Sequence, residues 1–318
     1  MVAAIDVIVA AYRDGSTIGR AVASALIQEE VARVIVVDDC SGDDTVDKAQ
    51  AADDGSGRLT VLTQTRNEGP SAARNRALAE GKSPLVAILD GDDFFLPNRF
   101  AALLRHAEWD LIADNVAFIP EGTKELPTDR RTSSGPASSL DLASFVTGNL
   151  SRPGRSRNEL GFAKPIIRRA FLEKHGFEWD PGLRLGEDFS LYARLLKAGA
   201  KFLIVEDCGY VATVRPTSLS GVHGEAELAA LLLSAEELAS DRTLSANERR
   251  ALRPYVWQLR VKLHHRRFLS AKRSDLMTGI AVAMSRPALV PALALAIARD
   301  KLARFAPTQS AGVRYLFV

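Results

Sequence analysis

The chain is poor in sulfur and has no long apolar run. Only 2 of its 318 residues are cysteine, Cys40 and Cys208. That is too few for a disulfide framework and fits a reducing compartment. The N-terminal stretch carries no basic segment, and its short run Val7 to Ala11 follows Asp6, so a secretory leader is not expected. The most apolar late segment, Pro287 to Ala298, has 12 residues, against the roughly 20 a helix needs to cross a bilayer. No internal repeat is visible. These absences argue against a disulfide scaffold, a single-span membrane protein and a repeat array, and a cytoplasmic location is expected.

In bulk the chain is ordinary, with 47% hydrophobic and 25% charged residues and a net charge of +2. Its length suits one large domain, or one domain with an extension. The charge is unevenly spread. From Arg260 onward, 11 Lys/Arg face 2 Asp/Glu. Arg260, Lys262, Arg266, Arg267, Lys272 and Arg273 crowd together there, ahead of the apolar stretches "GIAVAM" and "PALVPALALAIA". Basic charge beside short apolar helix is a pattern of attachment to anionic lipid. Peripheral contact with the cytoplasmic face of the inner membrane is therefore expected. The competing reading is structural: helices that pack on the rest of the chain or form a homodimer interface. No nucleic-acid partner is expected.

Apolar runs at 5–11, 32–37, 59–62 and 84–89 read as buried strands. Helices read between them, one capped by Ser16 and one spanning 69–81 that ends on Gly81. Strands that are apolar throughout and alternate with helices predict a parallel sheet covered on both faces. Further strands are expected at 110–118 and 201–206, and helices at 168–175 and 185–199. The stretches 120–139 and 151–161 read as loops, and beyond about 224 the pattern is helical to the end. Two domains follow from this reading, 1–223 and 224–318.

Parallel sheets take ligands outside the carboxyl ends of their strands. Polar residues gather at those ends here: Tyr12 after the first strand, Asp38 and Asp39 after the second, and "DGDD" (Asp90, Gly91, Asp92, Asp93) after the fourth. Carboxylates are costly to bury unless paired or cation-bound. As hard oxygen ligands, Asp90 and Asp92 suit Mg²⁺ or Mn²⁺; a solvated Asp-Gly turn is the plain alternative. "NEGPSAARN" (67–75) sets Gly69 at a helix start, where the dipole favours a diphosphate, with Arg74 and Arg76 nearby. Glu187 and Asp188 open a helix, as ordinary dipole-stabilising acids or as a rigidly placed base.

Together, "VIVAAY", "VIVVDDCSGDDT", "RNEGPSAARNRAL", "LDGDDFFLP" and "LGEDFSLYARLL" resemble the family-2 inverting glycosyltransferases of GT-A fold, over residues 3 to 215. "VTGNLSRPGRSRNELGF" and "VRPTSLSG" resemble, more narrowly, bacterial succinoglycan-type exopolysaccharide glucosyltransferases. The resemblance implies a Rossmann-like α/β domain with a helical C-terminal extension, a UDP-sugar donor and a divalent cation. It implies uracil contacts from Asp39, Tyr12 and the Ala10 backbone, with Asn67, Arg74 and Gly91 also lining the donor site. Asp90 would meet ribose and metal, Asp92 would ligate the metal, and Asp188 would act as base. Asp93 would support the site from behind. The implied reaction moves glucose to a hydroxyl of a lipid-linked oligosaccharide. Independently of the resemblance, one of loop 151–161 and the stretch 215–223, both carrying cations or hydroxyls, is expected to order over the diphosphate on donor binding, with Arg215 or His223 reaching it; solvated surface residues are the alternative. Two alternatives stand beside it, a nucleotide-sugar nucleotidyltransferase and a non-catalytic scaffold. The first lacks its glycine-rich triphosphate loop, and the second is weakened because no expected acid is missing.

Overall fold

The computed structural model describes residues 4–123, 137–151, 160–214, 224–303 and 313–316. The chain forms two compact units, Met1–Pro216 with Gly312–Val318, and Thr217–Ala311. The first alternates strand and helix as its apolar pattern demands: β1 (Ile5–Ala11), α1 (Ile18–Leu26), β2 (Val31–Asp38), α2 (Thr45–Ala51), β3 (Leu59–Thr63), α3 (Pro70–Glu80) and β4 (Leu85–Asp90). These four strands are parallel neighbours in the order β3-β2-β1-β4. β1 and β4 are buried along nearly their whole length, which requires cover on both faces. β3 is the exception to the expected buried run. It lies at the sheet edge, and its residues are half-buried or exposed.

Beyond β4 the sheet becomes mixed. β5 (Phe94–Phe95), α4 (Arg99–Leu103), β6 (Leu111–Pro120), β7 (Ser138–Leu140), α5 (Leu142–Gly148), β8 (Ile166–Arg168), α6 (Arg169–His175), α7 (Glu187–Lys197) and β9 (Phe202–Val214) follow. β8 runs antiparallel between β4 and β6, while β6 and β9 are parallel. The apolar stripe expected on α7 is real: Phe189, Tyr192, Leu195 and Leu196 are all buried.

The second unit is helical: α8 (Glu225–Ser240), α9 (Ala246–Ser274), α10 (Leu276–Met284) and α11 (Val290–Ala303). Helix does not continue to the end, however. β10 (Arg314–Tyr315) pairs antiparallel with β6, returning the chain to the first unit's sheet. Two caps also differ from expectation. α1 is capped at Thr17 rather than Ser16, and the Thr17 hydroxyl makes no cap bond but donates to the carbonyls of Gly91 (3.0 Å) and Asp14 (3.2 Å). Gly81 ends α3 in an extended conformation, not the left-handed one usual for glycine.

Space, not backbone conformation, explains Gly81. A Cβ there would lie 2.4 Å from Asp6 Oδ2 and 2.7 Å from Arg169 Nη2. It would wedge into a buried pair in which Asp6 accepts from Arg169 (3.0 Å) and from the amide and hydroxyl of Ser83 (both 2.7 Å). Gly81→Ala is expected to cost about 2–4 kcal/mol, between an overpacked site and a broken buried pair. Gly19→Ala, on helix α1 with only an ordinary contact at 3.6 Å, should be neutral or stabilise by up to ~1 kcal/mol. Urea midpoints at constant slope measure both.

Candidate active site

The carboxyl ends of β1, β2 and β4 come together because the ladders align them. Ala10 sits beside Asp90, and Ala11 beside Asp38. The turns beyond are braced on one another. Asp14 accepts from the Tyr12 amide (3.1 Å), the Arg13 amide donates to Ser41, and the Asp14 amide to Thr45. Gly91 has no room for a side chain, since its Cβ would lie 2.4 Å from Asp14 Oδ2. Tyr12 remains exposed at the rim, with the Arg13 guanidinium 5.1 Å above its ring.

Asp39 is buried and busy. Its Oδ1 accepts from Gln64 Nε2 (2.5 Å) and the Glu68 amide (2.7 Å), and its Oδ2 from the Gly69 amide (2.8 Å). It therefore braces the turn that leads into α3 from thirty residues away, and the Gly69 amide at that helix start is already bonded. A carboxylate has about four acceptor positions, so Oδ2 keeps one for a ligand. Asn67 is likewise braced: its Nδ2 donates to the Asp39 carbonyl (3.2 Å), and its Oδ1 accepts from Arg184 (2.7 Å). Arg76 does not join the site. It turns away to the Thr63 carbonyl at 2.8 Å.

Arg74 is the opposite of a solvent-facing helix arginine. It is buried and meets Asp90 at 2.7 Å, Glu187 at 2.8 Å and Asp188 at 3.4 Å. Opposite it stands Lys164, whose Nζ touches Asp90 Oδ2 at 2.8 Å and Asp188 Oδ2 at 2.7 Å. One ammonium thus bridges the acid that ends β4 and the acid at the mouth of α7. Burial opposes ionising Asp90, but Lys164 and then Arg74 outweigh it and hold its carboxyl well below the usual range. Burial equally opposes the charge on Lys164, yet Asp188 and Asp90 raise it above an ordinary lysine. Two cations thus face three carboxylates.

The supports reach further back. Trp179, fully buried, donates Nε1 to Asp188 Oδ1 at 2.8 Å, and Asn75 of α3 clamps the Trp179 backbone through two bonds of 2.7 and 2.9 Å. The Lys164 carbonyl accepts from Arg99 Nη2 at 2.6 Å, and Arg99 pairs with Asp114 at 2.7 Å. Asp93 is buried, accepting from Tyr210 Oη (2.7 Å) and the Thr213 amide (2.8 Å), while Tyr210 Oη accepts from the Asp90 amide. Burial, then Asp92 and Asp90, push its carboxyl well above the ordinary range. Among the described residues, two buried atoms beside the network have no hydrogen-bond partner, Arg74 Nε and Tyr192 Oη. Lys164, Trp179 and Arg184 escaped the sequence reading because none sits in a motif; Asn75 was visible only as a motif letter. Loop residues 152–159 and the stretch 215–223, including Arg215 and His223, lie outside the described residues.

The donor set can be tested against a divalent cation. No group of three or more His, Cys, Asp or Glu among the described residues could hold a metal alone. Mg²⁺ needs only one or two protein carboxylates and completes its shell with phosphate oxygens and water. Asp92, half-buried at the same turn, and the remaining lone pairs of Asp90 fit an ion that arrives with a diphosphate.

Comparison with known proteins agrees with this architecture. The family model described as "Glycosyl transferase family 2" matches residues 6–173. The chain is 44% identical over 306 residues to the succinoglycan biosynthesis protein ExoU of Rhizobium meliloti, covering 96% of this chain and 90% of that one. It is 31% identical over 109 residues to the Escherichia coli UDP-Glc:alpha-D-GlcNAc-diphosphoundecaprenol beta-1,3-glucosyltransferase WfaP, covering 34% and 43%. Among solved structures it resembles S. aureus TarS 1-349 in complex with UDP-GlcNAc (TM-score 0.58, 23% identity, 83% and 72% covered). It also resembles the Pyrobaculum calidifontis mannosyltransferase PcManGT with GDP-Man and Mn²⁺ (0.56, 16%, 94% and 80%). The chain belongs to glycosyl transferase family 2, with a GT-A-like fold and a helical C-terminal unit.

The bridging lysine yields a stability prediction. Lys164→Met leaves buried Asp188 and half-buried Asp90 with Arg74 as their one remaining cation among the described residues. It is expected to cost about 3 kcal/mol, the low end for breaking a buried pair. Asp188→Asn in the same chain should recover at least ~1 kcal/mol of that loss, read as coupling in a denaturation double-mutant cycle.

Proposed function

We propose that this glycosyltransferase works in exopolysaccharide biosynthesis, moving glucose from UDP-glucose to a hydroxyl of a lipid-linked oligosaccharide with inversion at the anomeric carbon. The observation that carries the proposal is the shared ammonium: the proposed donor-side acid, Asp90, and the proposed base, Asp188, meet on Lys164. Donor and acceptor chemistry are thereby held in one frame. The identity to a succinoglycan biosynthesis protein supports the pathway class. The relative named for UDP-Glc and a diphosphoundecaprenol acceptor supports the choice of donor and acceptor.

In this reading the free acceptor position on Asp39 takes the uracil N–H, and Tyr12 packs against the base beside the Ala10 backbone. Asn67 and Gly91 shape the donor pocket's floor. Asp90 and Asp92 would hold Mg²⁺ or Mn²⁺, which when bound neutralises charge on the departing diphosphate. Arg74 adds a fixed positive charge to the same region, pre-arranged and shielded from water.

Asp188 does the proton work. Its Oδ2 meets Lys164 and its Oδ1 meets Trp179, so the carboxylate cannot rotate, yet lone pairs remain to accept a hydroxyl proton. As the acceptor oxygen bonds to the anomeric carbon, the bond to the diphosphate breaks and its electron pair leaves with UDP. The proton passes to Asp188. Attack opposite the leaving group turns an α-linked donor into a β-linked product.

Two variants separate the roles. Asp188→Asn should keep UDP binding in Mn²⁺ within about threefold by calorimetry while kcat falls about 10²–10⁴-fold, the usual contribution of a positioned base. Asp92→Asn should lose both UDP release from UDP-glucose and the Mn²⁺ dependence of UDP binding. A full rate in excess chelator would remove the metal from the mechanism. Lost UDP binding in Asp188→Asn would reassign that residue to the donor.

A further inference from the structure

We propose that α10, flanked by the last turns of α9 and by Arg286, is a docking surface for an anionic lipid bilayer. The helix reads LMTGIAVAM and carries no charge. Helices of soluble proteins normally bury such a sequence. Here Leu276 is 57% exposed, Met277 69%, Ile280 45% and Met284 57%, and Leu295 of α11 is 53% exposed. Only Gly279 on α10 is buried. Its missing side chain is what seats the helix: a Cβ would lie 3.0 Å from Lys272 Cβ and 3.1 Å from its Cα. The backbone of α10 therefore lies tightly against the basic end of α9, and its large apolar side chains are left facing water.

Charge surrounds this patch with one sign. Lys272 and Arg273 precede α10 and Arg286 follows it, all exposed. Between residues 261 and 299 the sole acid is Asp275. Its carboxylate is turned into the N-cap of α10, accepting from the Thr278 amide at 2.7 Å and hydroxyl at 2.9 Å. The six cations of the sequence cluster are not equivalent. Arg260 pairs with Glu236 and Arg267 with Glu225, both acids of α8, so they tie the helical unit together. Lys272, Arg273 and Arg286 form no ion pair among the described residues.

Apolar side chains rimmed by unpaired cations match a membrane interface, where acyl chains take the former and anionic headgroups the latter. They match a second copy of the chain poorly, because a twofold contact would bring like charges together. The geometry also favours lying in the interface over crossing it. Among the described residues no single helix is long and apolar enough to span a bilayer, and α10 is bent by 96° from the apolar segment that follows. The inference stands on this surface alone. The proposed lipid-linked acceptor only gives it a use, by confining enzyme and substrate to one plane.

Vesicle co-sedimentation of the full chain, without donor or metal, tests the docking apart from catalysis. The protein should pellet with phosphatidylcholine vesicles containing phosphatidylglycerol, stay in solution with phosphatidylcholine alone, and be released by high salt. Replacing Lys272, Arg273 and Arg286 with glutamine should weaken partitioning about 100-fold at low salt, near fivefold per cation. Met277→Ser with Ile280→Ser should weaken it at least tenfold. Both sets lie on the surface, and thermal melting at the wild-type temperature verifies the fold. Equal pelleting with both vesicle types, none with either, or no response to the substitutions overturns the proposal. So does a dimer, seen by sedimentation velocity, that the Met277/Ile280 variant dissociates.

Discussion

The site depends on two buried cations placed between three carboxylates. Moving an ammonium and a guanidinium out of water costs several kcal/mol each, and a buried pair often does no better than a hydrophobic one. Such an arrangement persists only where geometry is fixed and each charge has several partners. Lys164 has two carboxylates at 2.7–2.8 Å, and Arg74 has three within 3.4 Å. Carboxylates outnumber cations three to two. A site built this way holds its acids at fixed separations and leaves acceptor positions for a further cation.

Everything around the network keeps those distances. Lys164 cannot drift, because its carbonyl is bonded to Arg99, itself held by Asp114. Asp114 also accepts from the Gly209 amide at 2.6 Å, and a Cβ on Gly209 would lie 2.5 Å from Arg99 Cγ. β6 and β9 thereby position a residue that belongs to neither. On the other side, α3 supplies both Arg74 and the Asn75 clamp on Trp179, so a single helix sets the cation and the residue that orients Asp188. The mixed half of the sheet thus acts as the frame for Lys164, the parallel half carries Asp90 and Arg74, and α7 supplies Glu187 and Asp188.

How much of this was legible follows from the kind of signal each part leaves. The parallel half announces itself by apolar runs broken at regular intervals, and the acids at strand ends stand out because burying them is expensive. Lys164 leaves no such mark. In "GFAKPIIRR" it is one basic residue among several, and its meaning comes from β8 running antiparallel beside β4, a pairing of three residues that no periodicity encodes. β10 is hidden for the same reason, being two residues long. Gly81 was read as a helix stop on conformational grounds, whereas its cause is a side chain 75 positions earlier in the chain, Asp6. Charge counting misled in a further way. Six cations in a row of helix look equivalent until α8 claims two of them.

Asp39 shows how a residue can be found for one reason and be needed for another. The sequence marks it as an acid at a strand end, which suggests a ligand. In the folded chain it first satisfies the amides of Glu68 and Gly69 in the turn that enters α3, where negative charge is favoured by the helix dipole. Gly69 takes φ of 93° there and Pro70 follows as the first helical residue, so the helix starts abruptly at the site's edge. The consequence is that Arg74, just over one turn into α3, is aimed into the cleft before any donor arrives. A pocket organised in advance loses less freedom on binding. In the proposed reading, the carboxylate that would read the base also sets the cation that would face the diphosphate, so both ends of a nucleotide would be measured against a single anchored helix.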